Sequence, residues 1–126
     1  MGNLNISLYF NLAVGIVALL IGVGAMIRPQ LMSQKFGIAA DSKTLPYVVS
    51  LGIRDVFMGL TVLLLFFLSE WFALGLVHIC LGMVALSDFI VVFKHGQRKT
   101  SWVHFAGAIA SFVYGVWLVN YSNQLS

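Results

Sequence analysis

Charged residues are scarce in this chain. Only 9% of its 126 residues are charged, whereas 60% are hydrophobic and the mean hydropathy is +0.98. In ordinary soluble domains roughly a quarter of the residues are charged, so that class of protein is excluded. A net charge of +3 spread this thinly makes no basic face for nucleic acid. We therefore expect a lipid bilayer as the surroundings and no nucleic-acid partner.

Motifs that carry known chemistry are also missing. The single cysteine, Cys80, provides neither a disulfide framework nor a thiol pair for redox chemistry or zinc. The chain contains no Gly-rich phosphate loop, no nucleophile elbow and no paired histidines at the spacing of a helical metal site. We accordingly predict no metal and no cofactor.

Long apolar runs are what the chain has in abundance. Four of them span approximately residues 6–27, 47–68, 71–93 and 101–121. Each exceeds the roughly 18 residues of a membrane-spanning helix, whereas the strands of a membrane barrel are about 10 residues long and alternate strictly. The sequence therefore predicts an all-α fold: an integral membrane four-helix bundle in which residues 1–126 form a single domain.

Basic residues predict how this bundle is oriented. The first connection carries Arg28, Lys35 and Lys43, and the third carries Lys94, Arg98 and Lys99. Alternating crossings place both connections on one side, and no Lys or Arg falls in the loop or termini of the other side. The positive-inside rule then predicts a multi-pass protein with both termini on the non-cytoplasmic side. The membrane would be the bacterial inner membrane or the endoplasmic reticulum.

Ionisable residues inside the apolar runs are the candidate site. Arg54 and Asp55 lie in the second run, Asp88 and His78 in the third, and His104 in the fourth. Ionisable side chains in hydrocarbon cost several kcal/mol and usually mark a pathway or a site. With a rise of 1.5 Å per residue, all of them except His78 fall in the same leaflet, which predicts one polar pocket.

Helical phase suggests which of these side chains pair. Asp55 shares a helix face with Gly52 and Gly59, where small residues allow another helix to approach. Arg54 is rotated about 100° from it. Because neighbouring residues of a helix do not face each other, we expect Arg54 to pair with Asp88 and not with Asp55.

Other polar positions in the runs are predicted to bind a substrate. Tyr47 and Ser50 follow the stripe of Arg54, whereas His78 lies on an inward stripe of the third run. His104, Gly107 and Ser111 form a further stripe in the fourth. Five of these are the predicted substrate-binding residues: Tyr47, Ser50, His78, His104 and Ser111. The two histidines and the glycines have structural alternatives: His78 also suits a core histidine, His104 an interfacial one, and glycine stripes also serve helix packing.

Several short motifs resemble a known family. They are Phe36-Gly37-Ile38, Gly52-Ile53-Arg54-Asp55 followed by Gly59, Ser87-Asp88, and His104 near the start of the fourth run. Together they resemble a family of small four-helix membrane proteins catalogued as a domain of unknown function. The resemblance implies a four-helix fold with polar positions at Arg54, Asp55, Asp88 and His104, and it implies no particular reaction.

Two aspartates that share one arginine suit acid-base chemistry. Desolvation favours a neutral carboxyl group and a guanidinium favours a charged one, so the two can be held in opposite protonation states. We expect Asp55 to be the acid and Asp88, oriented by Arg54, to be the base of a membrane-embedded enzyme that acts on a lipophilic small molecule. Epoxide opening, isomerisation and cyclisation fit this set, which is analogous to that of limonene-epoxide-type hydrolases, soluble enzymes of a different fold.

A second interpretation remains open. The chain would be a small membrane carrier or a structural or interaction subunit, in which Arg54 and Asp88 form an ion pair between helices. A transport path would require several copies of so short a chain, so a homo-oligomer belongs to this alternative. Transporters commonly contain repeats and broken helices, which the sequence does not show.

Overall fold

A computed structural model describes the backbone of residues 2–125 and the side chains of residues 9–124. This part of the chain contains five helices and no strand: α1 (Gly2–Ile27), α2 (Pro29–Phe36), α3 (Leu45–Phe67), α4 (Trp71–His95) and α5 (Arg98–Leu125). The all-α prediction is therefore confirmed.

Four of these helices are long and apolar enough to cross a membrane. The qualifying segments are Tyr9–Ile27, Leu45–Phe67, Trp71–His95 and Arg98–Gln124. They match the four predicted runs to within a few residues, except that the gap between the third and fourth runs, residues 94–100, is mostly helical. The side chain of Ile6, where the first run was predicted to begin, lies outside the described side chains.

The short helix α2 was not predicted. The residues between the first two apolar runs were expected only to connect them, but a new helix starts directly at Pro29. Proline suits a first helical position because its φ is already helical and its missing N–H needs no partner there. The helix ends at Phe36, and the next residue, Gly37, has a φ of +107°, which favours glycine.

The chain divides into two compact units. The first contains Met1–Ser33 and Ala40–Leu68, and the second contains Gln34–Ala39 and Ser69–Ser126. In the first unit α1 packs against α3 through glycines. A Cβ on Gly22 would lie 2.5 Å from the Gly52 carbonyl oxygen, and one on Gly59 would lie 2.7 Å from that of Gly15. Only glycine allows backbones this close, as expected for helices in lipid.

A hydrogen-bonded turn starts α3. The Asp41 carboxylate accepts hydrogen bonds from the amides of Lys43 and Thr44 and from the Thr44 hydroxyl, at 2.8–3.0 Å. These bonds, the one to the Thr44 side chain above all, hold the pKa of the exposed Asp41 carboxyl below its usual value. Pro46 then falls in the first turn of α3, where it costs no hydrogen bond.

The second unit is built on the α4–α5 hairpin. A Cβ on Gly75 would lie 3.0 Å from the Gly115 carbonyl oxygen, and one on Gly82 would lie 3.1 Å from that of Ala108. The link between the two helices consists of Gly96 and Gln97. Before α4, Ser69 has a φ of +59° in the short turn that the sequence predicted after the second run.

The exposed surface of the helices is apolar. Large side chains such as Leu20, Phe57 and Val103 are more than 60% exposed, whereas Asn11 and His78 are fully buried. Soluble proteins avoid apolar surface of this extent. Apolar residues outside, with glycines and some polar residues inside, indicate a protein that lies in a membrane.

Candidate functional site

Arg54 and Asp55 form an ion pair on α3. The Nε and Nη2 of Arg54 donate hydrogen bonds of 3.1 and 3.0 Å to the same carboxylate oxygen, Oδ1 of Asp55. The expectation that these two residues would not pair was wrong. The helical phase separates their Cα–Cβ directions, but the arginine side chain is long enough for its guanidinium to reach the neighbouring carboxylate.

The pair is partly enclosed. Its side chains remain 36% and 23% exposed, for Arg54 and Asp55 respectively. Gly52 and Gly59, one turn to either side, are buried against α1. The prediction that Gly52 and Gly59 allow another helix to approach is therefore confirmed.

Tyr47 and Ser50 lie outside the helix contacts. Tyr47 is 71% exposed and Ser50 is also exposed, although both were predicted to line a substrate site on the stripe of Arg54. They occupy the first two turns of α3, where this face of the helix is left uncovered. Neither side chain is enclosed by the protein.

In the second unit, helix contacts define the register of α4 against α5. Near one end, a Cβ on Gly37 would lie 2.8 Å from Val92 Cγ1 and 3.1 Å from Thr100 Cβ; further along, Gly82 meets Ala108. Gly37 contacts both Val92 and Thr100, so these two residues lie at the same height on α4 and α5, as do Gly82 and Ala108. In antiparallel helices with this register, Asp88 is level with His104. Both side chains are partly buried. Two of the predicted site residues are therefore at the same height on one hairpin.

A backbone carbonyl holds the imidazole of His104. Its Nε2 lies 3.1 Å from the Phe36 carbonyl oxygen, and the two rings pack with centroids 4.6 Å apart. A carbonyl can only accept a hydrogen bond, so Nε2 carries the proton. In the neutral ring the lone pair is then on Nδ1, which has no hydrogen-bond partner in the described part of the chain. His104 is thereby oriented as a proton acceptor.

The partner of His104 comes from a segment that sequence reasoning did not assign to the site. Residues 34–39 dock on the link between α4 and α5, where the Gly37 carbonyl accepts a hydrogen bond of 2.9 Å from the Gln97 amide. Gly96 packs directly against the Gly37 backbone. The signal in the sequence was Gly37 after a helix-forming stretch, a typical helix end.

The remaining predicted residues divide between core and surface. His78 is fully buried, and its ring packs edge-on against Tyr114 with centroids 4.8 Å apart, as the core alternative predicted. Ser111 is partly buried. Gly107 is exposed, and a Cβ there would meet no atom within 4 Å. The expectation that Gly107 lies on a packed inward stripe was therefore wrong.

The chemistry available in the described residues is proton transfer and ion pairing. No group of three or more His, Cys, Asp or Glu among them is placed to hold a metal ion. Each unit supplies its own groups: Arg54 with Asp55 in the first, and Asp88 with His104 in the second. A carboxylate held by a guanidinium and an oriented imidazole are both suited to general acid-base roles.

Four apolar helices with ionisable groups inside them define a small membrane protein. The chain belongs to a family described as Domain of unknown function (DUF4267), whose model matches residues 15–118. This match confirms the family resemblance predicted from the sequence. No curated protein and no solved structure matches the chain.

Proposed function

We propose that this protein is a membrane-embedded enzyme that acts on a lipophilic small molecule by acid-base chemistry. The observation that carries the proposal is the Arg54–Asp55 ion pair within an apolar helix of 23 residues. Placing ionisable side chains in a membrane is costly, and proteins usually retain them there for a function. The apolar surroundings suit a substrate that partitions from the bilayer.

Because Arg54 pairs with Asp55, we propose roles for the two aspartates that are the reverse of those expected from the sequence. The guanidinium of Arg54 donates two hydrogen bonds to one oxygen of the Asp55 carboxylate and holds that group in place, so the proposal assigns Asp55 as the base. Asp88 on α4 becomes the acid, and His104 at its level binds the polar end of the substrate through Nδ1. Epoxide opening, double-bond isomerisation and cyclisation each require one proton donor and one acceptor.

A substrate screen with matched variants tests this proposal. The purified protein in lipid nanodiscs would be incubated with lipophilic epoxides and polyenes, and products detected by chromatography and mass spectrometry. Asp55→Asn and Asp88→Asn should each lower turnover by about 100-fold or more. The other two acidic residues, Asp41 and Glu70, are exposed, so Asp41→Asn and Glu70→Gln should leave it unchanged. Turnover that survives both test substitutions would refute the assignment.

A structural or carrier role is the second candidate, and the same ion pair favours it. Because Arg54 and Asp55 neutralise each other on one helix, α3 carries no net charge into the membrane. A pair that serves only to neutralise α3 needs no substrate. A structural role would be supported if substitution of Arg54 and substitution of Asp55 lowered stability equally and the protein turned over no substrate. A carrier role would be supported if assembled copies of the chain took up substrate into vesicles.

We further propose the orientation that the charges favour. The connections with Arg28, Lys35 and Lys43 and with Lys94, Arg98 and Lys99 would be cytoplasmic, and both termini would be on the opposite side. The membrane in this proposal is the bacterial inner membrane or the endoplasmic reticulum.

A further inference from the structure

The junction of α4 and α5 carries a concentrated positive charge. Lys94, Arg98 and Lys99, which we call the basic patch, lie within six residues of each other and are all exposed. No Asp or Glu occurs after Asp88 in the sequence. None of the three pairs with a carboxylate in the described residues. The charge of the basic patch is therefore not balanced by the hairpin that carries it.

The helix dipole favours the position of Lys94 but disfavours those of Arg98 and Lys99. Lys94 is in the last turn of α4, where a positive charge complements the partial negative charge of the helix end. Arg98 and Lys99 are in the first turn of α5, which contains no acidic residue. Cations at a helix N-terminus are unfavourable. An external anion at the basic patch would offset this repulsion.

An aromatic cluster lies beside the basic patch. The Arg98 guanidinium is 5.0 Å from the centre of the Phe93 ring, a cation–π distance. Trp102 contacts Phe89, Phe93 and Phe105 with ring centroids 5.5, 6.5 and 5.6 Å apart. The Trp102 side chain is also 55% exposed. Exposed tryptophan at the end of a span prefers the lipid headgroup region.

We propose that the basic patch and Trp102 together bind the headgroup of an anionic phospholipid. The three cations supply charge for the phosphate, and the indole with the neighbouring exposed Val103 contacts the glycerol and the first methylenes. A free phosphate ion would use the cations alone and leave this apolar surface in water. The geometry thus favours a lipid over a soluble anion, and it does so whichever side of the membrane the hairpin end faces.

Quenching of Trp102 fluorescence by brominated lipid tests the site locally. Trp71→Phe and Trp117→Phe leave Trp102 as the only tryptophan of the three in the chain. This protein would be placed in nanodiscs that contain either brominated phosphatidylglycerol or brominated phosphatidylcholine in equal proportion. We expect quenching by phosphatidylglycerol to be about twofold stronger or more, since each Lys or Arg near a surface attracts anionic lipid. Equal quenching by both lipids would overturn the proposal. This experiment requires no substitution in the basic patch.

Two triple variants distinguish a specific phospholipid site from general electrostatic attraction of anionic lipid. Lys94→Gln, Arg98→Gln and Lys99→Gln together should abolish the preference. The matched control, Arg28→Gln with Lys35→Gln and Lys43→Gln, removes the same charge from another connection and should retain it. Equal loss in both triples would show unspecific attraction and refute the site. Loss of the preference on adding inorganic phosphate would identify a soluble anion as the ligand and also refute it.

Discussion

At the scale of single residues, the Arg54–Asp55 pair allows a direct test of coupling. Arg54→Gln leaves a carboxylate in an apolar span, and Asp55→Asn leaves a guanidinium. Because both side chains are only partly buried, each substitution should destabilise the protein by about 1–3 kcal/mol, less than for a fully buried pair. The double variant should cost less than the sum of the two. Thermal unfolding in detergent measures all three.

The control for this comparison of single and double variants is Glu70→Gln. Glu70 is exposed, precedes α4 and makes no side-chain capping bond. It should change the unfolding free energy by less than about 0.5 kcal/mol. Strict additivity of Arg54→Gln and Asp55→Asn would contradict a stabilising interaction between them.

Asp41 gives a pH-dependent prediction outside the spans. Hydrogen bonds from Thr44 lower the pKa of its carboxyl in the folded protein. A lowered pKa contributes stability that is fully present above the unfolded value, about pH 4, and that disappears as the pH falls through the folded pKa. Thr44→Val should raise the pKa of Asp41 towards its usual value. Carbon-13 NMR titration of the carboxyl group in micelles would show the shift, and an unchanged midpoint would contradict it.

At the scale of helices, the glycines provide a matched pair. A Cβ on Gly22 would lie 2.5 Å from the Gly52 carbonyl oxygen, whereas one on Gly107 would meet nothing within 4 Å. Gly22→Ala must push α1 and α3 apart and should cost about 1–3 kcal/mol. Gly107→Ala should be neutral or stabilise by up to about 1 kcal/mol through helix propensity. Thermal unfolding of both variants compares them directly. Equal destabilisation would mean that α1 and α3 are not packed this closely.

The sequence predicted the long helices well because membrane spans have a strong compositional signal. It missed α2 because eight residues are too few for a clear periodic pattern, and because proline can end a helix as well as begin one. It also missed the Arg54–Asp55 pair, since helical phase describes Cα–Cβ directions and ignores how far a long arginine side chain can bend.

At the scale of the whole molecule, the proposed orientation can be tested by labelling. With Cys80→Ser as background, single cysteines would be introduced by Ser42→Cys, Glu70→Cys and Gln97→Cys, all at exposed positions. In right-side-out vesicles an impermeant maleimide should label the Glu70→Cys variant at once. The other two should react only after permeabilisation, since the positive-inside rule places their connections in the cytoplasm. The reverse pattern would show the opposite orientation.

The candidate site was predicted in part. Sequence reasoning found Arg54, Asp55, Asp88 and His104 because charge in an apolar run is conspicuous. It could not identify the carbonyl of Phe36 as the partner of His104, since every residue has a backbone carbonyl and residue type does not show what that group binds. It could not show that the side chain of Tyr47 is exposed, because a polar stripe on a helix does not reveal which face a neighbouring helix covers.

The docking of residues 34–39 on the α4–α5 hairpin also determines an order of events during synthesis. Phe36 leaves the ribosome 68 residues before His104, its hydrogen-bond partner. At about 5–20 residues per second this interval lasts roughly 3–14 s. Once Phe67 has emerged within this interval, α1 and α3 can pack through their glycines, whereas residues 34–39 cannot dock until the α4–α5 hairpin has been translated. A segment that is translated later therefore provides the docking surface for one that is translated earlier.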